Sequence, residues 1–361
     1  MKLIVAAAAI TCGLPFAVQA DDNVQFYGKL YPEIDHYSLS GGTNPGATVS
    51  TLTKPVTAAP VSASGTTMES SNSYIGFRGS EDLGGGTRAI FQLEGAIGVD
   101  DGTSPKNVLF NRDTFVGLSG NFGTLKLGGR MDTVYKRLAD DIGMFGVSSG
   151  NFVSASNILA QGAFGSSGAE RFHERPTNTV LYASPEIGGF QGLIGYSLGE
   201  VPSSTSTGSI TSVGAKYEAG PLYLAIAHEE HIAFFGGSNN LSAKLSNIGT
   251  PGANSNDAST RITAAYRVAS NTRVEVDVAR TELDETGGAV GHFKNYRHNS
   301  WLLSGEHKID AWAFAGSLGR SQAGSCALVG GVACNTDGLE ATMVNLGAAY
   351  TLSKRTKLFA L

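Results

Sequence analysis

Long hydrophobic runs are missing from this sequence. Beyond its first twenty residues, no stretch approaches the roughly 18 continuous apolar residues that a membrane-spanning helix needs. Charged residues are sparse at 16 %, and a net charge of −5 gives no reason to expect a nucleic-acid partner. Tryptophan occurs twice and cysteine three times. There is no long stretch of helical periodicity to cover a sheet, and no phosphate-binding glycine loop followed by Lys-Ser or Lys-Thr. A soluble chain of 361 residues would ordinarily divide into two domains with helices over its sheets. What is abundant instead is glycine, 48 residues of it, punctuating short alternating segments.

Those segments are clearest between Ser71 and Arg130. Ser73-Tyr-Ile-Gly-Phe-Arg78 precedes a glycine-rich turn and then Arg88-Ala-Ile-Phe-Gln-Leu-Glu94. Asn111-Arg-Asp-Thr-Phe-Val-Gly-Leu118 and Thr124-Leu-Lys-Leu-Gly128 follow, joined by a Ser-Gly-Asn-Phe-Gly turn. Ala89, Phe91 and Leu93 share one face, and Arg88, Gln92 and Glu94 the other. Period two marks strands, and here the polar face carries charge. A soluble sheet turns its apolar face to a packed core. An outer-membrane barrel turns that face to lipid and its polar face to water.

The N-terminus favours the barrel. Lys2, an apolar run from Leu3 to Ile10 and the small-residue site Val18-Gln-Ala20 before Asp21-Asp22 read as a secretory signal peptide over residues 1–20. The run is too short to span a bilayer. Cys12 falls inside this segment, preceded by Thr11 where lipid attachment usually has Gly, Ala or Ser. The mature chain is expected to start near Asp21, in an oxidising compartment.

From there a hairpin ladder is expected as one domain over residues 21–361. A first strand covers 24–39, and a Gly/Ser/Thr/Pro-rich loop fills 40–68. After the four strands above, an irregular stretch runs over 131–176, too long for an ordinary hairpin connection. Further strands are expected near 179–183, 191–200, 212–218, 222–231, 260–268, 272–281, 300–308, 312–321 and 341–352, with a last segment at 357–361. Turns at one end are tiny, as at Ala219-Gly-Pro, Ala269-Ser-Asn, Ile309-Asp-Ala and Ser353-Lys-Arg-Thr, while connections at the other are long and polar. That asymmetry belongs to an all-β, antiparallel transmembrane barrel, which also leaves no strand edge exposed to lipid.

Several blocks carry a family resemblance. Gly76-Phe-Arg-Gly-Ser-Glu-Asp-Leu-Gly-Gly-Gly, Ala89-Ile-Phe-Gln-Leu-Glu94, Phe110-Asn-Arg112 and Phe115-Val-Gly-Leu-Ser-Gly resemble the general-diffusion porins of Gram-negative outer membranes, in the beta-proteobacterial branch. So do Asn178-Thr-Val-Leu-Tyr-Ala-Ser-Pro185, Gly189-Phe190 and Ser353-Lys-Arg-Thr, and the blocks span the mature chain in the family's order. The resemblance implies a homotrimer of sixteen-stranded barrels in lipid. It also implies a third external loop, here 131–176, folded inward to narrow the channel.

Ion preference in such a passage comes from rings of charge at its constriction. Tyr74, Gly76 and Arg78 share a face opposite Ile75 and Phe77, so Arg78 is expected in the lumen, with Glu94 also lining the pore. Carried further along the chain, the same parity makes Arg112 luminal and Phe115 lipid-facing, alongside Ile75, Phe77, Phe91 and Leu93. The resemblance implies constriction roles for Arg112 and Arg175; the arginine that the family commonly places before the apolar-Gly-apolar motif is Tyr74 here. Lys126 and Arg130 are candidate wall cations, and Asp140 and Asp141 candidate opposing acids in the inward loop. Cations facing acids would set up a transverse field; the alternative is that all these charges are merely solvated.

Catalytic and metal motifs do not assemble. Gly195-Tyr-Ser-Leu-Gly199 matches a hydrolase nucleophile elbow, which has meaning only at a strand-to-helix turn, and here it sits on an alternating strand. His228-Glu-Glu-His231 lacks the spacing of a helical zinc site, and on a strand its two histidines point to opposite faces. Cys326 and Cys334 are expected to form a disulfide in one external loop, the alternative being two free thiols. The reading is a passive channel for small hydrophilic solutes and ions, with no cofactor. A substrate-specific channel is the alternative, and an outer-membrane barrel enzyme a more remote one. Fourteen strands and the opening of a fifteenth can be counted, whereas single-chain barrels use even numbers. The sequence therefore reads as lacking its last one or two strands, unless the first strand pairs with an earlier one to close a smaller barrel.

Overall fold

The structure is a computed structural model that describes residues 24–42, 52, 61–70, 73–104, 108–138, 158–159, 172, 175–199 and 208–361. Its wall is built from β1 (Gln25–Lys29), β4 (Tyr74–Gly84), β5 (Thr87–Ala96), β6 (Phe115–Gly120), β7 (Gly123–Gly128), β8 (Thr179–Ala183) and β9 (Phe190–Leu198). It continues through β10 (Ser209–Ala219), β11 (Leu222–Ile232), β12 (Asn254–Ala269), β13 (Thr272–Thr286), β14 (Phe293–Ile309), β15 (Trp312–Ser321), β17 (Ala341–Ser353) and β18 (Thr356–Ala360). Each of these strands is hydrogen-bonded to the next along the sequence, within one sixteen-stranded sheet. The sixteenth member, β16 (Ser325–Leu328), lies off that path and pairs with β14. A separate hairpin joins β2 (Glu33–Gly42) to β3 (Val61–Glu69).

Every pairing along the path is antiparallel, so the fifteen wall strands reverse direction an even number of times and β1 and β18 run the same way. The two ends of the path meet through side chains: the Tyr31 ring stacks on Phe359 with centroids 4.6 Å apart. Ala315 and Ala349 lie in the same small cluster.

The pleat separates two environments. On β13, Val274, Val276 and Val278 are each at least 40 % exposed, whereas the alternate residues Glu275 and Asp277 are buried. In register beside Val276 and Val278 stand Leu303 and Trp301 of β14. Leu224 and Ile226 of β11 and Ile262 of β12 extend the same outer apolar band. Near the short turns the exposed aromatics Phe190, Tyr266 and Trp312 form a girdle. Toward the long connections the outer residues become charged, with Arg280 bonded to Glu282 at 2.7 Å and Arg297 to Asp284 at 3.3 Å. An apolar belt bounded by aromatics on one side and ions on the other fits a bilayer.

Several expectations need correction. The first strand is not continuous: β1 and β2 are separated by a break containing Pro32, which has no N–H to give to a ladder. The loop expected over 40–68 contains β3, whose Val61-Ser-Ala-Ser-Gly-Thr-Thr-Met-Glu69 has too little apolar alternation to announce itself. Strands β12, β13 and β14 run well past the expected limits, because beyond the apolar belt their outer positions become polar. Phe115 is 7 % exposed and turned inward, while Val116, at 62 %, faces out. The chain from Asn111 to Thr114 is irregular, so parity could not be carried across it. Ile75 and Phe77 face outward as expected.

Within the apolar belt, Val276→Arg is expected to cost about 2–4 kcal/mol of stability in lipid vesicles. Arg280→Leu, at the charged rim, should change it little. Equal effects in urea-dependent folding would show that the belt is misplaced.

Candidate functional site

The inner face of β1, β4 and β5 brings a chain of alternating charges and rings together. Antiparallel register puts Gly76 opposite Glu94 and Arg78 opposite Gln92, all on the inner side. The Arg78 guanidinium lies 4.7 Å from the Tyr27 ring centroid, and its Nε donates to Gln25 at 2.9 Å. The Tyr27 hydroxyl donates to Glu94 at 2.8 Å. Glu94 also accepts from Arg112, whose guanidinium covers the Tyr74 ring at 4.7 Å. Arg112 reaches this place from the bend before β6, not from a strand.

A second group is carried by the connection that leaves β7. Thr133 caps the one-turn helix α1 (Val134–Arg137), its hydroxyl accepting from the Lys136 N–H at 3.3 Å. Met131, Val134 and Tyr135 are fully buried, since α1 packs on the inner faces of β9, β10 and β11. Gly214 of β10 permits the approach: a Cβ there would come within 2.6 Å of Leu138 Cδ1 and of the Ile226 carbonyl. Polar anchors hold the turn in place. The Tyr135 N–H donates to Ser212 at 2.9 Å, its hydroxyl meets Ser259 at 2.8 Å, and the Tyr223 hydroxyl donates to the Leu138 carbonyl at 3.2 Å. Farther along, the Leu159 carbonyl accepts from Ser300 at 3.4 Å.

This placement gathers two aspartates and four cations. Arg175 lies 2.9 Å from Asp132 and 3.8 Å from Asp113. Lys136 pairs with Asp132 at 3.0 Å and Arg137 with Asp113 at 2.7 Å. Lys126, on the inner face of β7, sits 4.1 Å over the Phe115 ring and within electrostatic reach of Asp113 and Arg137. Four cations against two carboxylates leave the strip positive. Burial pushes the Asp132 carboxyl up, but Lys136, Arg175 and Arg137 outweigh it and hold it at about 2. Half-buried Arg130 follows β7. Asp140 and Asp141 lie outside the described residues. Arg112 pairs with Glu94, and Arg175 with Asp132 and Asp113.

Sequence reasoning missed the wall beneath α1. Glu229, His231, Asp257, Arg261 and Asp277 are all almost completely buried there. Arg261 reaches over the Tyr135 ring at 5.0 Å, and Phe172 packs on His231 with centroids 4.6 Å apart. The signal was available, because these residues occupy every second position on β11, β12 and β13. His228 and His231 do face opposite ways, one exposed and one buried. Ser197 lies within β9, 2.7 Å from the Thr179 hydroxyl, and not at a strand-to-helix turn. Cys326 and Cys334 are joined in a disulfide, with Cα atoms 5.9 Å apart.

Residues 5–360 match the model of the Gram-negative porin family. The chain belongs to that family. It is 33 % identical over 174 residues to outer membrane porin protein 32 of Delftia acidovorans, covering 47 % of this chain and 48 % of that one. It is 32 % identical over 193 residues to the major outer membrane protein P.IA of Neisseria meningitidis, covering 52 % and 45 %. The chain thus spans about half the length of the curated relatives it matches. Among solved structures, the anion-selective porin from Comamonas acidovorans is alike in fold, with a TM-score of 0.67 at 21 % identity over 94 % of this chain and 87 % of that one. Membership places the chain in the outer membrane of a Gram-negative cell, as a barrel and not an enzyme.

A carboxyl whose folded pKa lies below its unfolded value stabilises the fold above that unfolded value, and the contribution fades as pH falls through the folded one. For Asp132, whose ordinary value is 3.8, the window runs from there down to about 2. Thermal unfolding in detergent should therefore lose roughly 2 kcal/mol between those limits. Asp132→Asn should remove that dependence; an unchanged acid profile would contradict the assignment.

Proposed function

We propose that the chain forms a passive, water-filled diffusion channel for small hydrophilic solutes and ions, with a strip of fixed positive charge at its narrowest part. Family membership supports the channel. The strip rests on one observation above all: Lys126, Lys136, Arg137 and Arg175 gather on two carboxylates along the inner wall. The connection over 131–176 is the element that narrows the passage, since its described residues pack inside the wall and not above it. Arg78 and Arg112 extend the strip toward β1, Arg78 bonded to Gln25 and Arg112 paired with Glu94. Fixed guanidinium groups in a narrow aqueous passage draw anions and repel cations. No proton transfer, nucleophile or cofactor is needed for this activity. A homotrimer is the expected assembly, with part of each apolar belt packed at the threefold axis.

Replacing Arg112 and Arg175 together with glutamine should shift the reversal potential in a KCl gradient toward cation permeability. The shift should be largest at low salt, where screening is weak. An unmoved reversal potential would show that these arginines do not set the preference.

A further inference from the structure

Beside the charged strip, toward the short turns, the inner wall holds a recess that the steering of ions does not explain. It measures about 680 Å³ and is lined by Gln25, Arg78, Ser80, Ile90, Gln92 and Phe115. A volume of this size suits a small organic molecule better than a bare ion. Register sets out its floor. Arg78 is paired with Gln92, and Gln92 with Phe115. Two residues nearer the turns, Ser80 is paired with Ile90, Ile90 with Gly117 and Gly117 with Lys126. Gly117 brings no side chain, and a Cβ there would come within 2.3 Å of the Leu125 carbonyl and 3.3 Å of Ile90. The wall is therefore low beside Ile90, whose side chain packs against the apolar cluster containing Phe115.

Three cations border this floor. The Arg78 Nε donates to Gln25 at 2.9 Å, and its guanidinium lies 4.7 Å from the Tyr27 ring centroid. Both terminal amino groups of Arg78 are left without a partner among the described residues. That is an edge able to take a carboxylate through two parallel bonds. Arg88 leans the same way, its Nη2 donating to Ser80 at 2.8 Å. Lys126 stands over the Phe115 ring at 4.1 Å. The acids close by are engaged elsewhere. Glu94 holds Arg112 and Tyr27, Asp113 holds Arg137, and Asp82, opposite Arg88, accepts from the Gly84 N–H at 2.8 Å. An inorganic anion would need the cations only. Ile90, set among them, adds apolar surface that gains free energy when an apolar body covers it.

We propose that this recess binds small aromatic monocarboxylates, the carboxylate on the Arg78 amino groups and the ring over Ile90 beside Phe115. The inference rests on the diffusion-channel reading and adds to it the solute class that the wall favours. Arg88 and Lys126 strengthen the attraction for the negative end. Chloride and other inorganic ions lack the apolar body and pass unheld. Binding is weak, as passage requires, because a solute must leave the wall as readily as it enters.

The test records single channels of the full chain in planar bilayers bathed in KCl, with sodium benzoate added on one side. Benzoate should reduce the KCl current with a saturable dependence on its concentration. Sodium acetate and benzamide, each offering half of the recognition, should leave the current unchanged at the same concentrations. Ile90→Ser should keep the KCl conductance and weaken the benzoate effect at least about fivefold. Arg78→Gln should weaken it at least about tenfold. Equal effects of benzoate and acetate would overturn the proposal, and so would an Ile90→Ser channel as sensitive as the wild type. The wild-type comparison of benzoate with acetate decides alone if a variant fails to fold. A folded chain that opens no channel would defeat the diffusion reading and leave binding to saturation-transfer NMR of benzoate on the chain in phosphatidylcholine nanodiscs. There, a benzoate signal that Arg78→Gln abolishes upholds the site, and a signal equal in both chains overturns it.

Discussion

Everything in this molecule follows from the cost of an unpaired peptide group in hydrocarbon. Such a group loses several kcal/mol with no water to replace its partner. The chain answers by giving every wall strand between the two ends of the path an antiparallel neighbour on either side. Pairing then fixes the side chains, because a pleated strand must send alternate residues to opposite faces. Val274, Val276 and Val278 meet the lipid only because Glu275 and Asp277 are thereby sent inside. One backbone constraint makes both the membrane belt and the charged interior.

The interior is in turn organised by the segment that enters it. Buried acids on β11, β12 and β13 would be costly facing an empty lumen wall without partners. They are covered by Tyr135, Phe172 and their neighbours, and Arg261 stands among them. The missing side chain at Gly214 allows that approach, and Ser212, Ser259 and Tyr223 satisfy the polar groups it brings. With the segment anchored there, Asp132, Lys136, Arg137 and Arg175 lie against Asp113 and Lys126 of the opposite flank. Wall and inward segment together define the charged strip; neither carries it alone.

How much was legible in the sequence depended on whether a residue sat within a strand. Arg78 and Glu94 could be assigned a face by parity, and the register sets Arg78 opposite Gln92 and Gly76 opposite Glu94, whereas Lys126 was only a candidate wall cation. Phe115 was assigned to lipid because the alternation was counted through Asn111–Thr114, where the chain is not a strand. The partners of Arg112 and Arg175 could not be read at all. Those pairs join residues far apart in the chain, such as Arg175 and Asp132, which only the docking of α1 brings together. The hairpin strand β3 escaped notice for a different reason: its Ser, Thr and Gly content gives no apolar signal. The acids under α1 were legible in principle, since buried charge at alternate positions is itself a strand pattern.

The central claim is that the inner wall encloses a continuous aqueous passage whose charges steer ions without holding them. Single-channel recording in planar bilayers tests it most directly. The account expects discrete steps whose conductance rises in proportion to the conductivity of the KCl solution. Conductance that saturates with salt, or a purified, folded chain that opens no channel, would contradict it.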